Sequence, residues 1–349
     1  MVTIYDIAKK ANVSPMTVSR VINNAPNIRN KTREKVEIAI KELGYIPNSA
    51  ARSLISNQTK TLGLILTDIS NPFFSKIARG AEDAAVQMGY RVLMSNTDED
   101  SEKEINYIDM MLSARVDGVL IAPTSDKTLE QIERFKRHHI PVVLIDRLIE
   151  GFTGDYVLGD SYEGSRKLVE HLIDNGHHNI ALINGPSNVS TARERKRGYI
   201  ETLKLNDLPV YEHYISEIDY RNIEEDSAKI IVDRLIRSEP EKRPTAIFAA
   251  NNFIAISVMK AVKELGLQVP KDISVVCFDE VEPVVYFDPF FTVAAQPANE
   301  MGKIGIQFLM ERVEQKQVIS QRKVVLPPDI HIRKSTRKIN SRFSRKGET

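Results

Sequence analysis

Thr3-Ile4-Tyr5-Asp6-Ile7-Ala8-Lys9-Lys10-Ala11-Asn12-Val13-Ser14-Pro15-Met16-Thr17-Val18-Ser19-Arg20-Val21-Ile22-Asn23 is the stretch on which the reading of this chain turns. Thr3 and Asp6 stand in the [ST]-x-x-[DE] spacing of a capping box, in which the hydroxyl accepts from a first-turn amide and the carboxylate reaches back. Ile4, Ile7, Ala8 and Ala11 follow at i, i+3, i+4 and i+7 and predict one apolar helical face. Asn12-Val13 is a tight turn. Ser14, a favoured N-cap, and Pro15, preorganised for the first helical position, restart a helix. Val18, Val21 and Ile22 form its apolar face, which leaves Met16, Thr17, Ser19, Arg20 and Asn23 outward. A third helix carries Val36, Ala39, Ile40 and Leu43 and stops at Gly44, a residue suited to the left-handed position beyond a helix end. Two helices joined by a short turn, with a polar and basic outer face, make a helix-turn-helix. A small three-helix bundle with a basic surface is the competing reading.

Charge is unevenly spread along the chain. The whole carries 48 Lys+Arg and 47 Asp+Glu, for a formal net charge of +1. Residues 1–60 hold ten basic residues against Asp6, Glu34, Glu37 and Glu42, and residues 331–349 hold seven against Glu348. The body between them is acidic. A basic head on an acidic body points to a polyanion as the partner of the head. The 349 residues suggest about two domains with a sizeable core. With Gly and Pro at 16 each, collagen-like and low-complexity classes are excluded. No apolar run approaches the ~18 residues of a bilayer span, and residues 1–6 lack the pattern of a signal peptide. Cys277 stands alone, without a partner for a disulfide or a thiolate cluster. The expectation is a cytoplasmic protein without contact to a membrane.

Thr3–Ala8 followed by Val13–Asn23 resembles the DNA-binding head of the lactose/galactose-repressor (LacI/GalR) family. So do Lys31-Thr32-Arg33-Glu34-Lys35-Val36 and Leu43-Gly44-Tyr45-Ile46-Pro47-Asn48, while Ala50-Ala51-Arg52-Ser53-Leu54 is similar to the family's hinge helix. The resemblance extends over nearly the whole chain. It implies a transcriptional repressor of carbohydrate-utilisation genes. Such a protein binds a near-palindromic double-stranded DNA operator as a homodimer, or as a tetramer, and a sugar-like effector switches its affinity. The domains expected are a helix-turn-helix over 1–48, a hinge helix and linker over 49–60, a two-lobed effector-binding and dimerisation domain over 61–332, and a basic, disordered tail over 333–349.

In that geometry the second helix enters the major groove, N-terminal residues first. Pro15 and Met16 fall where the family reads operator sequence, and they offer apolar contact, for instance with a thymine methyl, in place of hydrogen bonds. Arg20 can donate two bonds to guanine. Thr17, Ser19 and Asn23 are placed to set the register on phosphates. Leu54 matches an apolar wedge at a minor-groove step, with Ala51 beside it, against the alternative of a domain-packing leucine. Ser14 and Asn48 complete the expected DNA contacts.

Beyond residue 60, strand-like runs alternate with amphipathic helices. The strands read as Thr61–Thr67, Arg91–Ser95, Gly118–Ala122, Val142–Asp146, Tyr156–Gly159, Ile180–Asn184, His213–Ile218, Ala246–Ala250 and Ile273–Asp279. The helices lie near 73–89, 102–114, 128–138, 162–175, 193–205, 224–237, 252–265 and 298–315. Alternating βα units in two sets predict an α/β body of two lobes with doubly wound parallel sheets. The resemblance agrees, implying a periplasmic-binding-protein-like body crossed near 160, 290 and 325.

Ligands in such folds bind at the carboxyl ends of strands, here between the lobes. Phe73 and Phe74 can stack on a sugar face, although one of them is also read as opening a buried helix face. Asp146 and Arg147 set an acceptor beside a forked donor. Thr191, Asn251 and Asp279 lie at other strand ends, and Arg195 points into the cleft by family position. Each alone suits a salt bridge or a cap. Together they resemble the family's pentose- and hexose-binding sites, most closely the ribose pattern. Two departures stand out: Asn251-Asn252 where the family often has Asn-Asp, and Glu280 beside Asp279. No phosphate loop, nucleophile elbow or zinc motif is present, so no enzyme, metal or cofactor is expected. The rivals are a catabolite-control regulator with a phosphoprotein corepressor, and a sugar-binding protein without DNA function. The basic head and the lack of a signal peptide speak against the second.

Overall fold

Thr3 caps the first helix as its spacing requires: its Oγ1 accepts from the Asp6 N–H at 3.4 Å, and Asp6 Oδ2 accepts from the Thr3 N–H at 2.8 Å. In this computed structural model, which describes residues 2–23, 25–45, 58–222, 227–281, 289–314 and 320–339, that helix is α1 (Ile4–Ala11). Asn12 ends it in the left-handed region at φ 51°. Ser14 Oγ accepts from the Thr17 N–H at 3.1 Å and opens α2 (Pro15–Ile22). The third helix, α3 (Asn30–Leu43), closes at Gly44 with φ 61°. Ile7, Ala8, Ala11, Val18, Val21, Val36 and Ala39 are buried together, so the three apolar stripes meet in one small core. The chain divides into two compact units, 1–59 and 60–349. The expected contacts Asn48, Ala51 and Leu54 lie outside the described residues.

The second unit is built on two six-stranded sheets. The first lobe takes β1 (Thr61–Leu66), α4 (Pro72–Gln87), β2 (Arg91–Asn96), α5 (Ser101–Ser113), β3 (Gly118–Ile121), α6 (Leu129–Arg137), β4 (Val142–Ile145) and β5 (Asp155–Gly159). The chain then crosses into the second lobe. There it forms α7 (Ser161–Asp174), β6 (Ile180–Asn184), α8 (Ser190–Leu205), β7 (Ile215–Glu217), α9 (Ser227–Arg237), β8 (Ala246–Ala249), α10 (Asn252–Glu264), β9 (Ser274–Phe278) and β10 (Thr292–Ala295). Helix α11 (Ala298–Glu314) and β11 (Lys323–Leu326) return to the first lobe, and β12 (Asp329–His331) closes the second. The sheet orders are β11-β5-β4-β3-β1-β2 and β12-β10-β9-β8-β6-β7. Every pairing is parallel except β10 with β12.

Central strands such as β4 and β8 are almost wholly buried apolar runs, as a sheet covered on both faces demands. In the first lobe, residues of α4 and α11 pack on one face, with Ile77, Met301 and Leu309 against Leu64 and Leu120. Residues of α5 and α6 cover the other, where Ile108 and Phe135 meet Ile65 and Ile121. No described helix is long and apolar enough to cross a membrane.

Two expectations need correction. The run His213–Ile218 begins as a 3-10 turn, and only Ile215–Glu217 pairs as a strand. The basic tail is not a free end over 333–339. Ser335 is fully buried; its Oγ donates to the Val275 carbonyl at 2.6 Å and accepts from the Thr292 N–H at 2.7 Å. Arg333 pairs with Glu280 at 2.6 Å, and the Ile339 N–H donates to the Asn175 carbonyl at 2.8 Å. Buried backbone groups of the second lobe need partners, and this segment supplies them.

Helices α4 and α11 meet at backbone distance. A Cβ on Gly302 would lie 2.2 Å from the Ile77 carbonyl oxygen, and one on Gly80 would lie 2.0 Å from that of Asn299. Because α11 carries the chain back from the second lobe, this contact fixes where the returning segment sits. Gly302→Ala should force the helices apart at a cost of about 1–3 kcal/mol. Thermal denaturation should then show a midpoint lowered by several degrees, roughly 2–4 °C per kcal/mol at this size. An unchanged midpoint would mean that the contact is not rigid.

Candidate functional site

On the head, α2 buries Val18 and Val21 and turns the opposite side to solvent. Ser14, Met16, Arg20 and Asn23 are exposed, while Pro15, Thr17 and Ser19 are half-buried. Met16 is 64% exposed, a large apolar side chain held outward on a small domain. The Ser14 hydroxyl caps α2 and lies 2.9 Å from Thr17 Oγ1, so it also shapes the helix start that carries the others.

In the body, the carboxyl ends of strands from both lobes converge on one cavity of about 40 Å3. Its wall includes all eight residues expected there: Phe73 and Phe74 from α4, Asp146 and Arg147 beyond β4, Thr191 and Arg195 from α8, Asn251 beyond β8 and Asp279 beyond β9. Asp68, Asn71, Glu99, Tyr220 and Phe253 complete it. Phe73 and Phe74 are both buried in the first-lobe core and meet edge to face, with centroids 5.1 Å apart.

Asp146 and Asp279 occupy matching places in the two lobes. Each follows a central strand in the left-handed region, at φ 65° and 69°. Each is held there by its N–H, which donates at 2.9 Å to a carbonyl of the neighbouring strand, Val157 or Ala294. Left-handed backbone at a non-glycine residue costs about 1–2 kcal/mol, and such strain gathers at functional sites. Burial pushes the Asp146 carboxyl up to about 6 against the pull of Arg147 and Arg195. Asp279 is also raised by burial, opposed by Arg195 and by a 2.7 Å bond from Gln296 Nε2.

The two guanidiniums are held differently. Arg147 donates through both terminal nitrogens to Glu99, at 2.7 and 2.5 Å, and to the Pro123 carbonyl at 3.2 Å. Arg195 donates to the Ala250 carbonyl at 2.6 Å, lies 3.8 Å over the Phe278 ring, and faces Asp279 at 3.6 Å. Asp146 Oδ1 and the Nε groups of Arg147 and Arg195 are buried without a hydrogen-bond partner. They offer one acceptor and two donors, a set that suits hydroxyl groups.

Among the described residues, two hydrogen bonds and an ion pair join the lobes around the cavity. Asn252 Nδ2 donates to Asn71 Oδ1 at 2.9 Å, the Leu148 N–H donates to Ser190 Oγ at 2.9 Å, and Arg193 pairs with Asp126 at 2.8 Å. Asn252 therefore acts as an amide donor across the lobes in the place where the family often has a carboxylate. Glu280 does not bring charge to the cleft mouth, because Arg333 holds both of its oxygens.

Glu99 and Tyr220 escaped the sequence reading. Glu99 stands in the acidic run Asp98-Glu99-Asp100, which looks like a solvated loop, and Tyr220 follows a strand of three residues. The rule that loops beyond strand carboxyl ends face the cleft would have flagged both.

Residues 3–48 match the family model described as bacterial regulatory proteins, lacI family. Residues 59–336 match periplasmic binding proteins and sugar binding domain of LacI family. The HTH-type transcriptional repressor PurR of Vibrio parahaemolyticus is 37% identical over 341 residues, covering 97% of this chain and 100% of that protein. Catabolite control protein A of Priestia megaterium is 36% identical over 337 residues, covering 96% and 99%. The crystal structure of the Lac repressor dimer bound to operator and the anti-inducer ONPF superposes with a TM-score of 0.81 at 30% identity, covering 96% and 99%. Head and body each match, along the full length of such relatives, and the chain belongs to the lacI family of DNA-binding transcriptional regulators.

Proposed function

We propose that this regulator is a cytoplasmic repressor of carbohydrate-utilisation genes. It binds a near-palindromic operator as a homodimer, and a small polyhydroxylated effector in the interlobe cavity changes its operator affinity. The observation that carries this reading is the convergence of eight side chains from strand ends and the helices that follow on one cavity, with a buried carboxylate oxygen and two guanidinium N–H groups lacking partners. The domain limits proposed are 1–48 for the head, 49–60 for the hinge, and 61–339 for the effector and dimerisation domain. Asp146 accepts from ligand hydroxyls, Arg147 and Arg195 donate, Asp279 orients Arg195, and Phe74 closes the apolar side. The Lac repressor dimer, solved on its operator with a bound anti-inducer, supports both halves of the reading. On the head, Arg20 reads guanine, Met16 makes apolar base contact, and Thr17, Ser19 and Asn23 hold phosphates.

Arg20→Ala should cost ~1–3 kcal/mol per half-site and relax the preference at one base position, read by selection from randomised operators. An unchanged preference at every position would remove Arg20 from base reading. Arg195→Ala should bind operator with wild-type affinity and fail to respond to a sugar that shifts the wild type. If operator release still occurred at the wild-type sugar concentration, the cavity would not be the effector site.

The raised Asp146 carboxyl makes a further test. Its pKa is 3.8 ordinarily and about 6 when folded, so the folded state holds the extra proton between those values. Its contribution to stability is full below about 3.8 and is lost as pH rises through about 6. Asp146→Asn lacks that loss. Its unfolding midpoint, measured beside the wild type without ligand, should therefore gain on the wild type as pH rises from 4 to 7. A constant difference across that window would contradict the buried, raised carboxyl.

A further inference from the structure

We propose that the interlobe cavity selects uncharged polyols and rejects their phosphorylated or carboxylated counterparts; this rests on the effector reading above. Four carboxylates, Asp68, Glu99, Asp146 and Asp279, line the cavity against two guanidiniums, Arg147 and Arg195. Lys76 acts on Asp279 from outside the lining, so even with it the acids remain in surplus. The cationic groups are already engaged: Glu99 holds Arg147 through both terminal nitrogens, and Arg195 is shared between the Ala250 carbonyl and Asp279. Each donor left over stands beside an acid. Arg147 Nε lies 3.7 Å from Asp146 Oδ2, and the Arg195 guanidinium lies 3.6 Å from Asp279. An anion accepting from either would meet a carboxylate in surroundings of low dielectric, whereas a hydroxyl can donate to the same carboxylate.

Helix N-termini are the usual alternative for holding a phosphate, and here most are occupied. Asn71 Oδ1 accepts from the Phe73 N–H at the start of α4. Asn251 and Asn252 accept from the Ile254 and Phe253 N–H groups at the start of α10. Of the three helices whose first turns line the cavity, α8 begins without a side-chain cap, and there Asp146 shares the cavity wall with Thr191. The neighbouring surface is acidic as well. A pocket of about 570 Å3 shares Asp68, Glu99, Tyr220 and Phe253 with the cavity, and Asp98 and Asp100 add to its wall. The cations on it, Lys103 and Arg221, are paired with Asp98 and Asp219.

The test is calorimetric titration of the full chain at low salt with matched probes: D-ribose and ribose 5-phosphate, D-glucose and glucose 6-phosphate, D-galactose and galacturonate. In each pair whose neutral member binds, the anionic member should bind at least about 100-fold more weakly, a difference of about 2.7 kcal/mol. Asp68→Asn, which removes one acid and keeps Asp146, should narrow that gap about tenfold. An anionic member binding as tightly as its neutral partner, or alone, would overturn the proposal and leave the cavity standing as an effector site. No binding by any probe would overturn the proposal together with the polyol reading beneath it.

Discussion

Buried charge between the two lobes is the constraint on which the body of this protein depends. Asp146, Arg147, Arg195 and Asp279 are all nearly inaccessible to water, and an unpaired charge in such a place costs several kcal/mol. The lobes can approach only if these groups compensate one another or are met by a ligand. Compensation here is incomplete. Glu99 neutralises Arg147 within the first lobe, and Asp279 faces Arg195 within the second, while Asp146 keeps one oxygen without a donor. The parallel sheets deliver the charges to one place, since parallel strands of both lobes end toward the cleft. The left-handed turns at Asp146 and Asp279 aim the two carboxylates from equivalent positions in each lobe.

Much of this was visible in the amino-acid sequence, and the reasons differ by element. The head was readable because capping and periodicity act over a few residues. Thr3, Asp6, Ser14, Pro15 and Gly44 do in three dimensions what their spacing indicates. Central strands were readable because burial on both faces demands continuous apolar runs such as Val142–Ile145. β10, β11 and β12 were not: Thr292-Val293-Ala294-Ala295 is short and weakly apolar although buried, and the two short edge strands expose alternate residues. The tail over 333–339 misled for a related reason. Its composition is that of a solvated end, yet Ser335 and Arg333 satisfy groups on Val275, Thr292 and Glu280 that lie far away in sequence.

Within the cavity, Asp146 and Asp279 were found, whereas Asp68 just after β1, and Glu99 and Tyr220 on later loops, were not. Asp146 and Asp279 follow unmistakable strands, so strand-end logic places them. Glu99 and Tyr220 depend on loop paths that only the folded chain specifies. The pairing of Glu99 with Arg147 matters most of these, because it converts an apparent free donor into a committed one. Side chains chosen from type and position alone therefore reached part of the cavity wall and misjudged the availability of one donor. The partners of each group, and not its identity, decide what chemistry remains for a ligand.

The central claim is that occupancy of the cavity and affinity for DNA are linked. Linkage is reciprocal: whatever factor a ligand imposes on operator affinity, the operator must impose on ligand affinity. The direct measurement is the dissociation constant of one binding sugar in the absence and presence of saturating operator. It is set beside the operator dissociation constant without and with that sugar. The account predicts two ratios that agree with each other and differ from one, on the order of 5–150-fold for a typical coupling of 1–3 kcal/mol. A sugar that binds with the same affinity whether or not operator is present would contradict it.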